Sequence, residues 1–148
     1  MENDTHYPIR DYRHGDFPQL DQLWKETGMG APERGDNEET IDRCNQMGGK
    51  LLVMTNPANG KIIGSSWLTF DGRRIFLHHF GIKPEYQNRG LGKQLANATL
   101  QFIREKGYQV KLEVHKDNHI AKRLYEKSGF FAFTDYDIYM IRDTKGSR

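Results

Sequence analysis

The sequence predicts an α/β fold, with one mixed, mostly antiparallel central sheet and helices on both faces. Three observations carry this. Apolar runs of strand composition fill residues 50–82, segments of helical period precede and follow them, and a strand–helix–strand–helix order closes the chain. A length of 148 residues suits one domain with one core. That domain is expected over residues 1–142, with "DTKGSR" at 143–148 as a loose tail.

The elements follow in order. "YPIRDYR" (7–13) reads as a short first strand. In "GDFPQLDQLWKETGMG" (15–30) Asp16 is a candidate cap, Pro18 sits in the first turn, and Phe17, Leu20, Leu23 and Trp24 recur at helical spacing. "DNEETIDRCNQMGG" (36–49) reads as a second short helix, capped by Asn37 and ended by glycines. "KLLVMT" (50–55) and "KIIGSSWLTF" (61–70) are strands joined by the turn cluster "NPANG", and Asp71-Gly72 folds a tight hairpin into "RRIFLHHFGI" (73–82). After Pro84 the period changes. Leu91, Leu95, Ala98 and Phe102 give one apolar helical face that ends near Gly107. "YQVKLEVH" (108–115) is a strand and "DNHIAKRLYEKSG" (117–129) a capped helix. "FFAFTDYDIYMIRD" (130–143) supplies one or two final strands.

Composition narrows the function. With 22 basic and 20 acidic side chains the net charge is +2, too balanced for a nucleic-acid binder. No apolar run has membrane-spanning length, and "MENDTHYPIR" lacks a signal-peptide layout. Cys44 is the single cysteine, so no intrachain disulfide forms and a reducing compartment is the default. The expectation is a soluble cytoplasmic domain without nucleic-acid or membrane partners; a homodimer is compatible with it. Cys44 reads as a small buried hydrophobe. His115 and His119 are separated by a helix cap and lack a third ligand, so no metal is expected.

The chemistry concentrates in "PEYQNRGLGKQL" (84–95). A glycine-containing turn between a strand and a helix start offers free N–H groups and a dipole to an anion. Gly90 and Gly92 let a ligand approach the backbone, while Arg89 and Lys93 add positive charge. Leu95 stands where a dinucleotide fingerprint needs its third glycine, and Gln94 where a P-loop needs Ser or Thr. A helix entry with glycines used only for packing remains the plain alternative.

Gln87-x-x-Gly90-x-Gly92 resembles the acyl-CoA pyrophosphate loop of the GNAT (Gcn5-related) N-acetyltransferase superfamily. Asn118, Ala121, Leu124, Tyr125, Gly129 and Phe130 resemble that family's other signature. The spacing of Ile82, Pro84 and Gln87 also fits, and the element order matches over nearly the whole chain. The resemblance implies a GNAT-like fold with a splayed fourth strand and acetyl-CoA as co-substrate. Within Gln87, Asn88, Arg89, Gly90, Leu91, Gly92 and Lys93, the amides from Arg89 onward would cradle the pyrophosphate. Phe80 to Ile82 would pair with the pantetheine arm, Ile82 facing the thioester oxygen, and Asn118 would both cap its helix and bond that arm. The implied activity is acetyl transfer to a primary amine of a small metabolite, peptide or protein, by direct attack in a ternary complex. A non-catalytic acyl-CoA-binding sensor is the alternative of a different class.

Such an attack needs a neutral amine. An ε-amine, pKa about 10.4, costs about 4.6 kcal/mol to deprotonate at pH 7, and an α-amine near 8 about 1.4. Glu113 lies twelve residues before Tyr125, resembling the glutamate-to-tyrosine spacing of ribosomal-protein N-terminal acetyltransferases. His78 lies four residues before Ile82, resembling a histidine of arylalkylamine acetyltransferases, with an ordinary pKa of about 6.5. Both stand as candidate bases, Glu113 ranked ahead of His78; Phe76 occupies the place of the histone-type glutamate. His79, by strand alternation, would face the other side and be structural. Tyr125 would meet the departing CoA sulfur. Glu33, Asp36, Glu38, Glu39 and Asp42 would attract a cationic amine or form a solvated face.

Overall fold

A computed structural model describes residues 6–145. The elements are β1 (Ile9–Asp11), α1 (Phe17–Glu26), α2 (Glu38–Gln46), β2 (Lys50–Thr55), β3 (Ile62–Phe70), β4 (Ile75–Ile82), α3 (Leu91–Lys106), β5 (Val110–Leu112) and α4 (His119–Lys127). Short 3₁₀ turns occupy Pro32–Arg34 and Pro84–Tyr86. One sheet runs in the order β1-β2-β3-β4-β5. Its first three pairings are antiparallel, and only β4 and β5 run parallel, through the α3 crossover. Of the tail expected over 143–148, residues 146–148 lie outside the described residues.

Alternation along the strands divides the core between two layers. On one face Leu20, Leu23 and Trp24 of α1 and Ile41 of α2 pack on Leu51, Val53, Ile62 and Trp67. On the other, Leu91 and Leu95 of α3 cover Met54, Ile63 and Ile82. Ile103, further along α3, covers Leu68, Ile75 and Leu77, with Tyr125 of α4 packed alongside. The buried stripe of α3 is Leu91, Leu95, Thr99 and Ile103, so Ala98 and Phe102 of the expected face sit only half-buried at its edge. Thr99 is tolerated there because its hydroxyl meets Ser66 Oγ at 2.7 Å and donates to the Leu95 carbonyl at 2.8 Å.

Local chemistry explains the ends. Asn37 caps α2, its Oδ1 accepting the Thr40 N–H at 2.9 Å. Asp71 Oδ1 receives the N–H groups of Arg73 and Arg74, which closes the β3–β4 hairpin. Gly107 ends α3 at φ 83°, its N–H returning to the Ile103 carbonyl. Asp16 precedes α1 but makes no side-chain cap. Its carboxylate instead takes a bidentate bond from Arg10 at 2.8 and 3.0 Å and the Arg13 N–H at 2.9 Å. Burial pushes the Asp16 pKa up, yet these bonds outweigh it and hold the group below the usual carboxylate range.

Two expected strands differ. The one over 108–115 shrinks to Val110–Leu112. Those over 130–143 do not form: among the described residues no strand follows α4, and Phe131, Phe133, Ile138 and Tyr139 are exposed. A strand needs a ladder to pair with, and β5 presents only three residues.

Candidate active site

The turn into α3 leaves backbone N–H groups unpaired at a helix start. Gly90 adopts φ 79° and Asn88 φ 64°, left-handed backbone that swings the chain into the helix. The first i→i−4 bond runs from the Gln94 N–H to the Gly90 carbonyl at 3.3 Å, so the N–H groups of Leu91, Gly92 and Lys93 have no helical acceptor. A Cβ on Gly92 would stand 3.8 Å from Leu124 of α4, an ordinary contact distance, so packing alone does not demand a glycine there. Gln87 Nε2 donates to the Ile82 carbonyl at 2.9 Å, so this side chain braces the turn against β4. Arg89 folds back, donating to the Glu85 carbonyl and lying 5.1 Å over the Tyr86 ring, while Lys93 is exposed.

β4 and β5 pair only as far as Leu77 and Leu112. Beyond that point β4 has β3 on one edge and no strand on the other among the described residues. On the α3–α4 side of this open edge, the Phe80 ring meets Tyr125 at 5.9 Å, and Tyr125 meets Phe130 at 5.6 Å. Burial pushes the Tyr125 phenol up to about 12. Asn118 is an exposed N-cap whose Oδ1 accepts the Ala121 N–H at 3.1 Å.

A bulge decides what faces the opposite side. Ser65 pairs with Gly81 and Trp67 with His78, so Ser66 alone opposes both His79 and Phe80. His79 takes φ 45° and turns toward the α1–α2 layer, its ring 4.7 Å from Trp24 and 5.5 Å from Trp67. The expectation that His79 faces away from His78 therefore fails; their rings lie 6.5 Å apart. The extra residue cancels the alternation. His78 Nε2 lies 2.9 Å from Thr69 Oγ1, and its ring stacks near Phe76. Burial first, and the neighbouring His79 second, hold the His78 pKa below its ordinary value, with Asp36 opposing them.

Glu113 lies one residue past β5 and is exposed, so it sits at the rim. One further step of the β4–β5 register would set it opposite His78, on the face where Lys111 Nζ lies 5.5 Å over Phe76. The site thus gathers His78, Phe80, Ile82, Gly90, Gly92 and Tyr125 around the open edge of β4. Cys44 is half-buried against the α1–α2 core with its pKa raised by burial, which disfavours a thiolate. No His, Cys, Asp or Glu group among the described residues is arranged to hold a metal. No helix among them is long and apolar enough to cross a membrane.

The profile of the acetyltransferase (GNAT) family matches residues 17–130. This chain belongs to the GNAT acetyltransferase family. Mycothiol acetyltransferase of Clavibacter sepedonicus is 35% identical over 103 residues, 69% of this chain and 34% of that protein. The GNAT domain here thus spans about a third of that relative. An acetyltransferase from Streptococcus agalactiae shares its fold, with a TM-score of 0.77 and 21% identity over 93% of this chain and 92% of the other. A GNAT acetyltransferase from Elizabethkingia anophelis, solved with acetyl-CoA bound, has a TM-score of 0.63 at 22% identity, covering 84% of this chain and 76% of that one.

Sequence reasoning read His79 as structural but placed it on the wrong face, and it missed the Thr69 hydroxyl beside His78. The signal for the first was present, since Gly81, two residues after His79, marks an irregular strand. Nothing local pointed to Thr69, nine residues away across a hairpin.

Proposed function

We propose that this GNAT domain transfers an acetyl group from acetyl-CoA to a primary amine of a small molecule, peptide or protein, by direct attack in a ternary complex. One pairing of features carries the reading. Unbonded amides at Leu91–Lys93 lie at one end of the open β4 edge, and Tyr125 packs beside Phe80 on that same strand. The first suits a pyrophosphate and the second an extended arm that pairs like a strand. The co-substrate supplies an activated thioester; the protein supplies position and proton traffic.

His78, kept neutral near pH 7 by its lowered pKa, is a proton acceptor on the acceptor side of β4. Glu113 at the rim is the second candidate, directly or through water. Tyr125 stabilises the leaving sulfur. With its pKa at about 12 against about 8.5 for a thiol, full proton transfer from the phenol is uphill by about 5 kcal/mol. Tyr125 therefore acts as a hydrogen-bond donor to the thiolate, and the amine's proton leaves through the base.

Thermal shift and CoA release together test this. Acetyl-CoA should raise the Tm, by about 2.7 kcal/mol of stabilisation at one hundred times Kd, whereas ATP and NAD should not. Free CoA should then appear with at least one of 2-phenylethylamine, spermidine or an alanyl hexapeptide. Equal stabilisation by ATP would return the turn to a generic anion site. Tight acetyl-CoA binding without turnover would favour a sensor.

A further inference from the structure

The end of α1 and its connection to α2 meet the last part of β4 and the residue after it at three alternate positions. Lys83 Nζ lies 3.6 Å from Glu26 Oε1, and a Cβ on Gly81 would come 2.9 Å from Met29 Cε. His79 Nε2 lies 3.0 Å from Asp36 Oδ2. This last contact is the most elaborately held. The same Asp36 oxygen accepts the Ala31 N–H at 2.7 Å, which fixes the loop's own shape. The His79 carbonyl accepts from Ser65 Oγ at 2.7 Å, and Ser65 Oγ accepts from Trp24 Nε1 at 2.9 Å. His79 Nε2 is buried and has no hydrogen-bond partner, since Asp36 stands at ion-pair distance but out of line. A non-glycine residue at φ 45° needs such support to stay there.

We propose that Asp36 and His79 form a latch that fixes residues 27–37 as the wall of the acceptor site, making both of them positioning residues for the amine. This rests on the acetyltransferase reading. The latch fastens the loop at the bulge, next to His78 and to the point where β4 leaves β5, so the wall is registered to the strand that would present the thioester. It also reassigns Asp36. Committed to His79 and to Ala31, this carboxylate is not a free counter-ion for the substrate, unlike the exposed Glu33, Glu38 and Glu39.

The test uses trypsin, because Arg34 is exposed within the latched loop. Cleavage after Arg34, followed by mass spectrometry, should run about tenfold faster in Asp36→Ala and in His79→Phe, the latter keeping a ring between the tryptophans. The double variant should cleave no faster than Asp36→Ala, because each single change already removes the Asp36–His79 contact. With whichever of 2-phenylethylamine, spermidine or the alanyl hexapeptide turns over, the amine KM should rise about tenfold while kcat and calorimetric acetyl-CoA affinity stay within about twofold. Unchanged cleavage, additive effects, or a matching loss of acetyl-CoA affinity would overturn the latch. Should His79→Phe fail to fold, Asp36→Ala decides by the same measurements. A parent protein that cleaves as expected yet releases no CoA with any amine would sink the transferase reading and leave the latch standing.

Discussion

The α3–α4 layer and the α1–α2 layer cover the same sheet by different means. The first is organised by its backbone: left-handed glycines at both ends of α3, an asparagine cap on α4, and three free amides at the turn. The second is organised by side chains that meet across long stretches of chain. Trp24 bonds Ser65 and stacks on Trp67 at 5.5 Å, and Asp36 reaches His79. Backbone devices leave short, spaced signatures in a sequence. Side-chain meetings depend on register, and register is a property of the folded sheet.

The largest test of this contrast falls on the α1–α2 side. Whichever of His78 and Glu113 is the base should lose about 10²–10⁴-fold in kcat/KM when changed to Gln, with acetyl-CoA affinity kept. Because His78 is half-buried and Glu113 exposed, His78→Gln should be the more damaging. The pH profile gives the sign. A lowered His78 pKa keeps the imidazole neutral at pH 6.5 and above, so activity should fall only as pH drops below 6.5, and His78→Gln should remove that limb. Losses of only a few-fold in both variants would leave substrate positioning, with proton loss to bulk water, as the surviving account.

A smaller effect is expected at the glycine turn. Gly92→Val would set a branched side chain beside the unbonded amides of the turn and should weaken acetyl-CoA binding about tenfold, read by calorimetry, with little change in amine KM. Unaltered cofactor affinity would mean that this glycine serves packing alone. The smallest effect belongs to the seam between the layers. Thr99→Val strips Ser66 of its buried partner and should cost about 1–3 kcal/mol in urea unfolding, leaving both KM values in place. A neutral result would show that water or a rotated Ser66 replaces the bond.

The same contrast explains what was legible beforehand. Helices α2, α3 and α4 were readable because Asn37, Gly107 and Asn118 act on neighbours three or four residues away. The hairpin at Asp71-Gly72 and the glycine turn were readable for the same reason. His79 was misread because strand alternation predicts a side chain's face only while the ladder is regular, and one inserted residue reverses it. Asp16 was misread because Arg10, six residues away, outcompetes the cap. The strands expected over 130–143 had the right composition, yet composition does not supply a partner edge.

The stacked tryptophans are the only two in the chain, and both rings rest against His79. Every photon of indole emission from this protein therefore originates on one side of the sheet, within a few ångströms of the Asp36 contact. A ligand occupying only the glycine turn should be nearly dark in that channel, whereas any motion of residues 27–37 alters the polarity around both indoles at once. The molecule carries its own optical probe of the loop, and stopped-flow emission can time the loop without a label.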